Sequence, residues 1–283
     1  MSFGTKAGMT DPKLLISVQH CLKEPWLSIF QDGSQVTWNS MKLPPGMDIV
    51  HFHGQQLSKF WDIWDSVHEK IRWSNRWLAG PLRWFDMLIG FIFLDKIPSV
   101  HVSNQLKINQ TVMEVHCKDT YQFLRWKDLA ILKHFVEETV ADYLFMTTNN
   151  SYIDFDALGS LIKTLPKSSL YAGVKAYDGA TFAAGNNRIL SRDVAVAMLK
   201  NRRSFSAGYI EDVAMGRLAT KLGVNFQELG SLVLGTLEEL QATNDATLMA
   251  NYHFRVKSGS LNSRNDVEIM LALHNRIRAV KLR

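Results

Sequence analysis

WKDLAILKHFVEETVADYLFMTTNNS, residues 126–151, contains a helix, a strand and a polar stop in succession. Leu129, Leu132, Val136 and Val140 fall at helical spacing, and Asp142 then leads into the apolar run 143–146, too short for anything but a strand. The polar TTNNS ends that strand. Downstream, a helix is expected from Asp154 through Leu165 with Pro166 as its stop, followed by a strand over 170–174. Upstream, 14–18 reads as an opening strand, 48–52 as a second after a Pro-Pro-Gly turn, and 99–102 as another after Pro98. Strands alternating with helical patterns predict an α/β fold, a mixed sheet flanked by helices. One compact domain over 1–283 is expected, with a basic helical extension over roughly 260–283.

Composition narrows the classes. The chain has 283 residues and is 46% apolar, enough for a sizeable core and incompatible with disorder. Lys and Arg outnumber Asp and Glu by 32 to 27, which suits an anionic ligand such as a diphosphate, or an acidic membrane surface. The basic residues are too scattered for a nucleic-acid stripe, so no nucleic-acid partner is expected. Cys21 and Cys117 form neither a disulfide framework nor a zinc motif. The opening MSFGTKAGMTDPK lacks the apolar run of a signal peptide, and the longest apolar stretch, 84–94, contains Asp86 and is short for a bilayer span. A cytoplasmic location is therefore the expectation, and the sequons at Asn109 and Asn149 are read as chance matches. The stretch 58–94, with Trp61, Trp64, Trp73, Trp77 and Trp84 among Lys and Arg, predicts an amphipathic helix packed on the sheet, with peripheral membrane or glycan contact as the alternative.

Ligands of open α/β sheets sit beyond the carboxyl ends of strands, which directs attention to three places. They are Thr147 to Ser151 after YLFM, the glycine-containing turn AAGNNRILSRD at 183–193, and GYIEDVAMGRLATKLG at 208–223. In the last, Glu211 and Asp212 open a helix that Gly223 closes. Ser191 and Asp193 are expected to cap the helix containing VAVAMLK, and Arg188 either reaches a diphosphate or is a solvated charge.

In this order and spacing, the three segments resemble the fringe and β-1,3-galactosyltransferase group of GT-A glycosyltransferases, over about residues 120–224. AAGNNRILSRD is similar to that group's glycine loop, GYIEDVAMG to its EDV segment, and TTNNSYI stands where its DxD motif lies. The resemblance implies a GT-A fold, Rossmann-like, and an inverting transferase that moves a sugar from a nucleotide-sugar donor to a hydroxyl of a carbohydrate acceptor. It implies Asp212 as the catalytic base, with Glu211 orienting the acceptor or holding Asp212, and Gly185 letting the backbone approach the donor sugar or the acceptor. The nucleoside would lie near the loop at 19–24.

The departure is at the metal. Thr148, Asn149 and Asn150 replace three acidic positions, with Asn150 at the place expected to touch Mn²⁺ or Mg²⁺, and a neutral amide offers no charge to hold a hard cation. His253 in NYHFRVK resembles the late histidine that such enzymes supply to metal or diphosphate, and Arg255 and Lys257 share its face if the segment is extended. Those three form a candidate diphosphate clamp. His51 and His53 also share a strand face and are read as packed or hydrogen-bonded. A capping box from Ser263 to Asp266 opens a basic amphipathic helix to the C-terminus, which either packs on the domain or touches a membrane. Two functions remain open at this point: the inverting transferase, and a catalytically silent GT-A domain that binds carbohydrate or acts as a scaffold.

Overall fold

The structure, a computed structural model, describes residues 12–55, 97–120, 123–205, 209–259 and 264–283; the stretch at 58–94 lies outside them. In chain order the strands are β1 (Leu14–Gln19), β2 (Met47–Gln55), β3 (Val100–Val102), β4 (Thr111–Lys118), β5 (Tyr143–Thr148) and β6 (Ser151–Ile153). They continue as β7 (Tyr171–Tyr177), β8 (Thr181–Ser191), β9 (Phe226–Glu228), β10 (Leu232–Leu234) and β11 (His253–Val256). The main helices are α1 (Leu124–Glu138), α2 (Phe155–Ile162), α3 (Arg192–Lys200), α4 (Glu211–Lys221), α5 (Leu237–Ala242), α6 (Asp245–Met249) and α7 (Asp266–Lys281).

Among the described residues, eight strands form one sheet in the order β3-β4-β2-β1-β5-β8-β7-β9, and β10-β11-β6 form a small second sheet. β4, β2, β1 and β5 are mutually parallel, whereas β8 runs antiparallel to β5 and β7. Parallel strands need both faces covered, and the sequence supplies this. Along β1 and β5, Leu14, Ile16, Tyr143 and Phe145 face a core shared with α2 and α7, while Leu15, Leu144 and Met146 face one shared with α1, α3 and α4. The fold is thus a mixed α/β sheet flanked by helices, as expected.

Several elements differ from the sequence reading. Val140 lies beyond the end of α1 and is exposed, so the helix stops before the last apolar position at its spacing. The expected glycine turn at 183–193 is largely strand: β8 continues through Gly185, with an irregularity against β7 there, and pairs with β5 from Tyr143↔Ser191 to Thr147↔Asn187. Apolar and β-compatible residues at 188–191 outweigh the turn propensity of Gly-Asn-Asn once a partner strand is available on each side. Ser191 occupies the cap position of α3, but its hydroxyl donates to Asp193 and accepts from the Leu170 N–H, leaving the helix N–H groups aside. Asn265 takes the cap position of α7, and Ser263 lies outside the described residues; the Asp266 carboxylate instead accepts from Ser258 N–H, Ser258 Oγ and Arg264. The apolar side of α7, with Ile269, Met270, Leu273 and Ile277, is buried in the core. No helix of the described residues is long and apolar enough to cross a membrane.

Gly223 closes α4 as expected, with φ +72 and the following Val224 N–H reaching back to Ala219 O at 3.0 Å. A second glycine, unremarked in the sequence, sets where this helix lies. A Cβ on Gly216 would come within 2.3 Å of Phe182 Cβ and 2.7 Å of Thr181 O, so α4 rests directly on the backbone of β8. Gly216→Ala is expected to lower unfolding free energy by about 1–3 kcal/mol through overpacking, read as a shifted urea midpoint at unchanged slope.

Candidate functional site

Chain order fixes where a ligand crevice opens. From β1 the chain adds β2 and β4 on one side and then crosses back to place β5 on the other, so the switch point lies between β1 and β5. At their carboxyl ends Gln19 is level with Thr148. β8, antiparallel, brings Asn187 level with Thr147, and Gly185 two residues further out along the same edge. α4 lies on β8 through Gly216, and its first turn delivers Glu211 and Asp212 to Gly185.

The contact is close. Gly185 N–H donates to Asp212 Oδ2 at 3.1 Å, and Val213 N–H donates to Asp212 Oδ1 at 2.8 Å. A Cβ on Gly185 would stand 3.0 Å from Glu211 Oε1, so the glycine makes room for the carboxylate pair; the resemblance had given that space to a sugar. Glu211 is buried, and its Oε2 has no hydrogen-bond partner among the described residues. Burial first, then the neighbouring Asp212 and Asp128, push the Glu211 carboxyl up to about 8. Burial also raises Asp212, but Arg188 and the two N–H donors favour its charged form. Burial raises both of these adjacent acids, so the pair is disposed to hold a proton between them.

Arg188 lies beneath this pair. It is neither solvated nor reaching for a ligand: it is fully buried, and its guanidinium grips Asp128 of α1 with two hydrogen bonds, 2.5 Å and 3.1 Å. Gln19 donates to the same carboxylate from the end of β1. Asp128, Arg188 and Gln19 therefore tie α1, β8 and β1 together under the candidate site. The next residue inward on α1, Lys127, is buried as well and donates to Asp119 and to the His20 carbonyl.

The positions resembling a metal site are committed elsewhere. Thr148 Oγ1 donates to Asn150 Oδ1 at 2.7 Å, while Asn150 Nδ2 donates to Val256 O at 3.1 Å. Asn149 Nδ2 donates to Trp26 O at 2.7 Å. His253 is fully buried between two serine hydroxyls, Ser231 at 2.7 Å from Nδ1 and Ser151 at 3.0 Å from Nε2, and burial lowers it to about 3. Both its ring nitrogens are engaged by protein groups, and among the described residues no group of three or more His, Cys, Asp or Glu side chains can hold a metal ion. This donor set does not fit a divalent cation. The clamp drawn through His253, Arg255 and Lys257 also comes apart: His253 belongs to the interior, Arg255 is half-buried in β11 level with Ser151, and Lys257 is exposed just past the strand. Strand alternation supplied the clamp, but β11 pairs on both sides, with β6 and β10, which draws its first residue inward.

His51 and His53 are packed histidines, as expected. His51 Nδ1 meets His20 Nε2 at 2.6 Å, and His53 meets Ser103 Oγ at 2.9 Å. Burial lowers His51 to about 3.

These groups give stability a two-sided pH dependence. Glu211 is raised from its ordinary 4.5 to about 8, so the folded chain binds more protons than the unfolded one across that window, and stability falls as pH rises through it. His51 and His253 are lowered from 6.5 to about 3, so the folded chain binds fewer protons there, and stability falls as pH drops through that window. Denaturation followed from pH 4 to 9 should therefore give a dome, and Glu211→Gln should flatten its alkaline limb while leaving the acid limb in place.

No family model and no curated protein matches the chain. Among solved structures, mouse Xyloside xylosyltransferase 1 in its apo form is similar at 8% sequence identity, with a TM-score of 0.39 over 90% of this chain and 99% of that one. A likeness that distant assigns no activity, and the functional reading rests on the residues themselves.

Proposed function

We propose that the chain is an inverting glycosyltransferase of GT-A type, taking a sugar from a nucleotide-sugar donor to a hydroxyl of a carbohydrate acceptor. The observation that carries this reading is the Glu211–Asp212 pair seated against Gly185 at the carboxyl edge of the sheet, above the buried Arg188–Asp128 ion pair. Asp212, whose charged form Arg188 and two N–H donors favour against the effect of burial, accepts the proton of the acceptor hydroxyl. The freed oxygen electron pair forms the new bond to the anomeric carbon from the face opposite the diphosphate. The old carbon–oxygen bond breaks, and its electron pair leaves with the diphosphate, inverting the centre. Glu211, its carboxyl pushed up to about 8 by burial, stands beside Asp212 as a buried acid whose second oxygen has no hydrogen-bond partner among the described residues. The switch-point crevice between Gln19 and Thr148 suits the donor nucleotide.

The second reading, a silent GT-A domain that binds carbohydrate, draws on Thr148, Asn149 and Asn150, which supply no acidic ligand and are bonded within the protein. Calorimetric titration with UDP, GDP and dTDP, followed by a search for transfer from the matching nucleotide-sugars, separates the two. Nucleotide binding with turnover supports the enzyme; carbohydrate binding without nucleotide binding favours the module.

A further inference from the structure

Both asparagines at the DxD position are anchored to backbone carbonyls, and one cation lies against both anchoring residues, on the ring of one and the carbonyl of the other. Asn149 bonds Trp26 O, and the Arg264 guanidinium carbon lies 4.6 Å from the centroid of the Trp26 ring. Asn150 bonds Val256 O, and Arg264 Nη2 reaches that same oxygen at 3.5 Å. Arg264 is held there by Asp266, which takes its Nε at 3.0 Å and its Nη2, and Asp266 is in turn fixed by Ser258 N–H and Oγ. The guanidinium side chain is only 6% exposed, so its placement is built rather than incidental. Neither the Asp266 nor the Val256 contact uses Nη1, and a guanidinium has five N–H donors in a rigid fork that matches phosphate oxygens.

We propose that Arg264 takes the diphosphate of the nucleotide ligand beside the Asn149–Asn150 turn, and that nucleotide binding by this chain needs no divalent cation. The proposal rests on the nucleotide-binding reading above. It replaces a dication between two carboxylates with a guanidinium beside two amides. Asp266 leaves the local charge near zero before the ligand arrives, so the fork contributes directional, charge-assisted hydrogen bonds more than bulk attraction.

The test is calorimetry of the purified chain with UDP, GDP and dTDP, each with EDTA and with Mn²⁺, on the native protein, Arg264→Gln and Arg264→Lys. The expected result is one nucleotide bound with the same Kd in EDTA and Mn²⁺, weakened about tenfold to a hundredfold by Arg264→Gln and less by Arg264→Lys. The corresponding nucleoside, lacking phosphates, should bind both variants as it binds the native chain, which separates phosphate recognition from disturbed folding. Because Arg264→Gln leaves Asp266 buried without its cation, Arg264→Gln/Asp266→Asn provides a variant with neither charge and should show the same phosphate-specific loss. Binding that vanishes in EDTA, or an undiminished diphosphate affinity in all three variants, overturns the proposal. Failure of the native chain to bind any nucleotide under either condition removes the donor-site reading itself, and Arg264 with it.

Discussion

Asp212→Asn is expected to bind nucleotide as the native chain does and to transfer sugar at least about a hundredfold more slowly, the usual scale of losing a positioned base. The substitution is nearly isosteric, so the contact with Gly185 and the lie of α4 on β8 survive. What disappears is the proton acceptor. Steady-state kinetics should show a fall in kcat with little change in donor KM, since the carboxylate acts on the acceptor hydroxyl as it attacks. A variant retaining native turnover would remove Asp212 from the reaction and shift weight to the carbohydrate-binding module.

Arg188→Met should produce the largest loss of stability, about 3–5 kcal/mol, because it strands the Asp128 carboxylate in a dry interior. The urea midpoint reports it directly. Asp128→Leu in the same background should recover much of that loss, since replacing both partners of a buried pair by apolar side chains is far milder than removing one. Full recovery of stability would separate the structural part of the pair from its second effect: Arg188 also favours the charged form of Asp212, and the double variant loses that cation. Its pH profile for transfer should therefore move upward even when the fold is restored. A double variant as unstable as Arg188→Met alone would show that the pair is valued for more than mutual neutralisation.

Much of the sheet was legible in the sequence because its strands are short apolar runs between clear breakers. The runs at 14–18, 48–52 and 143–146 all lie within observed strands, and Asp154 caps α2 with its side chain as the helix rules require. The pattern failed where tertiary pairing decides. Gly185 and its two asparagines read as a turn, yet β8 continues through them, held by β5 from Asn187 onward and by β7 on either side of an irregularity at this point. His253, Arg255 and Lys257 read as one cationic face, which burial of His253 dissolves. Lys127 and Asp128 were not singled out in the sequence, although Asp128 shares a face with Ile131, Leu132 and Phe135 at helical spacing, a visible signal of a charge on the apolar side. Arg264 offered no such signal: it stands outside any helix or strand, and its relation to Asn150 exists only through a shared carbonyl of β11.

The seam between β1 and β5 also governs how the molecule comes into being. Ser17 of β1 donates to Phe145 of β5, 128 positions later, and every residue of β1 is buried. A polypeptide emerging from the ribosome thus carries an apolar strand with one unsatisfied edge until β5 has been made. Closing that seam requires a long-range encounter, which places this chain among slow, non-local folders. Until β5 arrives, the same edge can pair with another nascent chain, so heterologous expression should yield more soluble protein at low temperature or with added chaperones than at high synthesis rates.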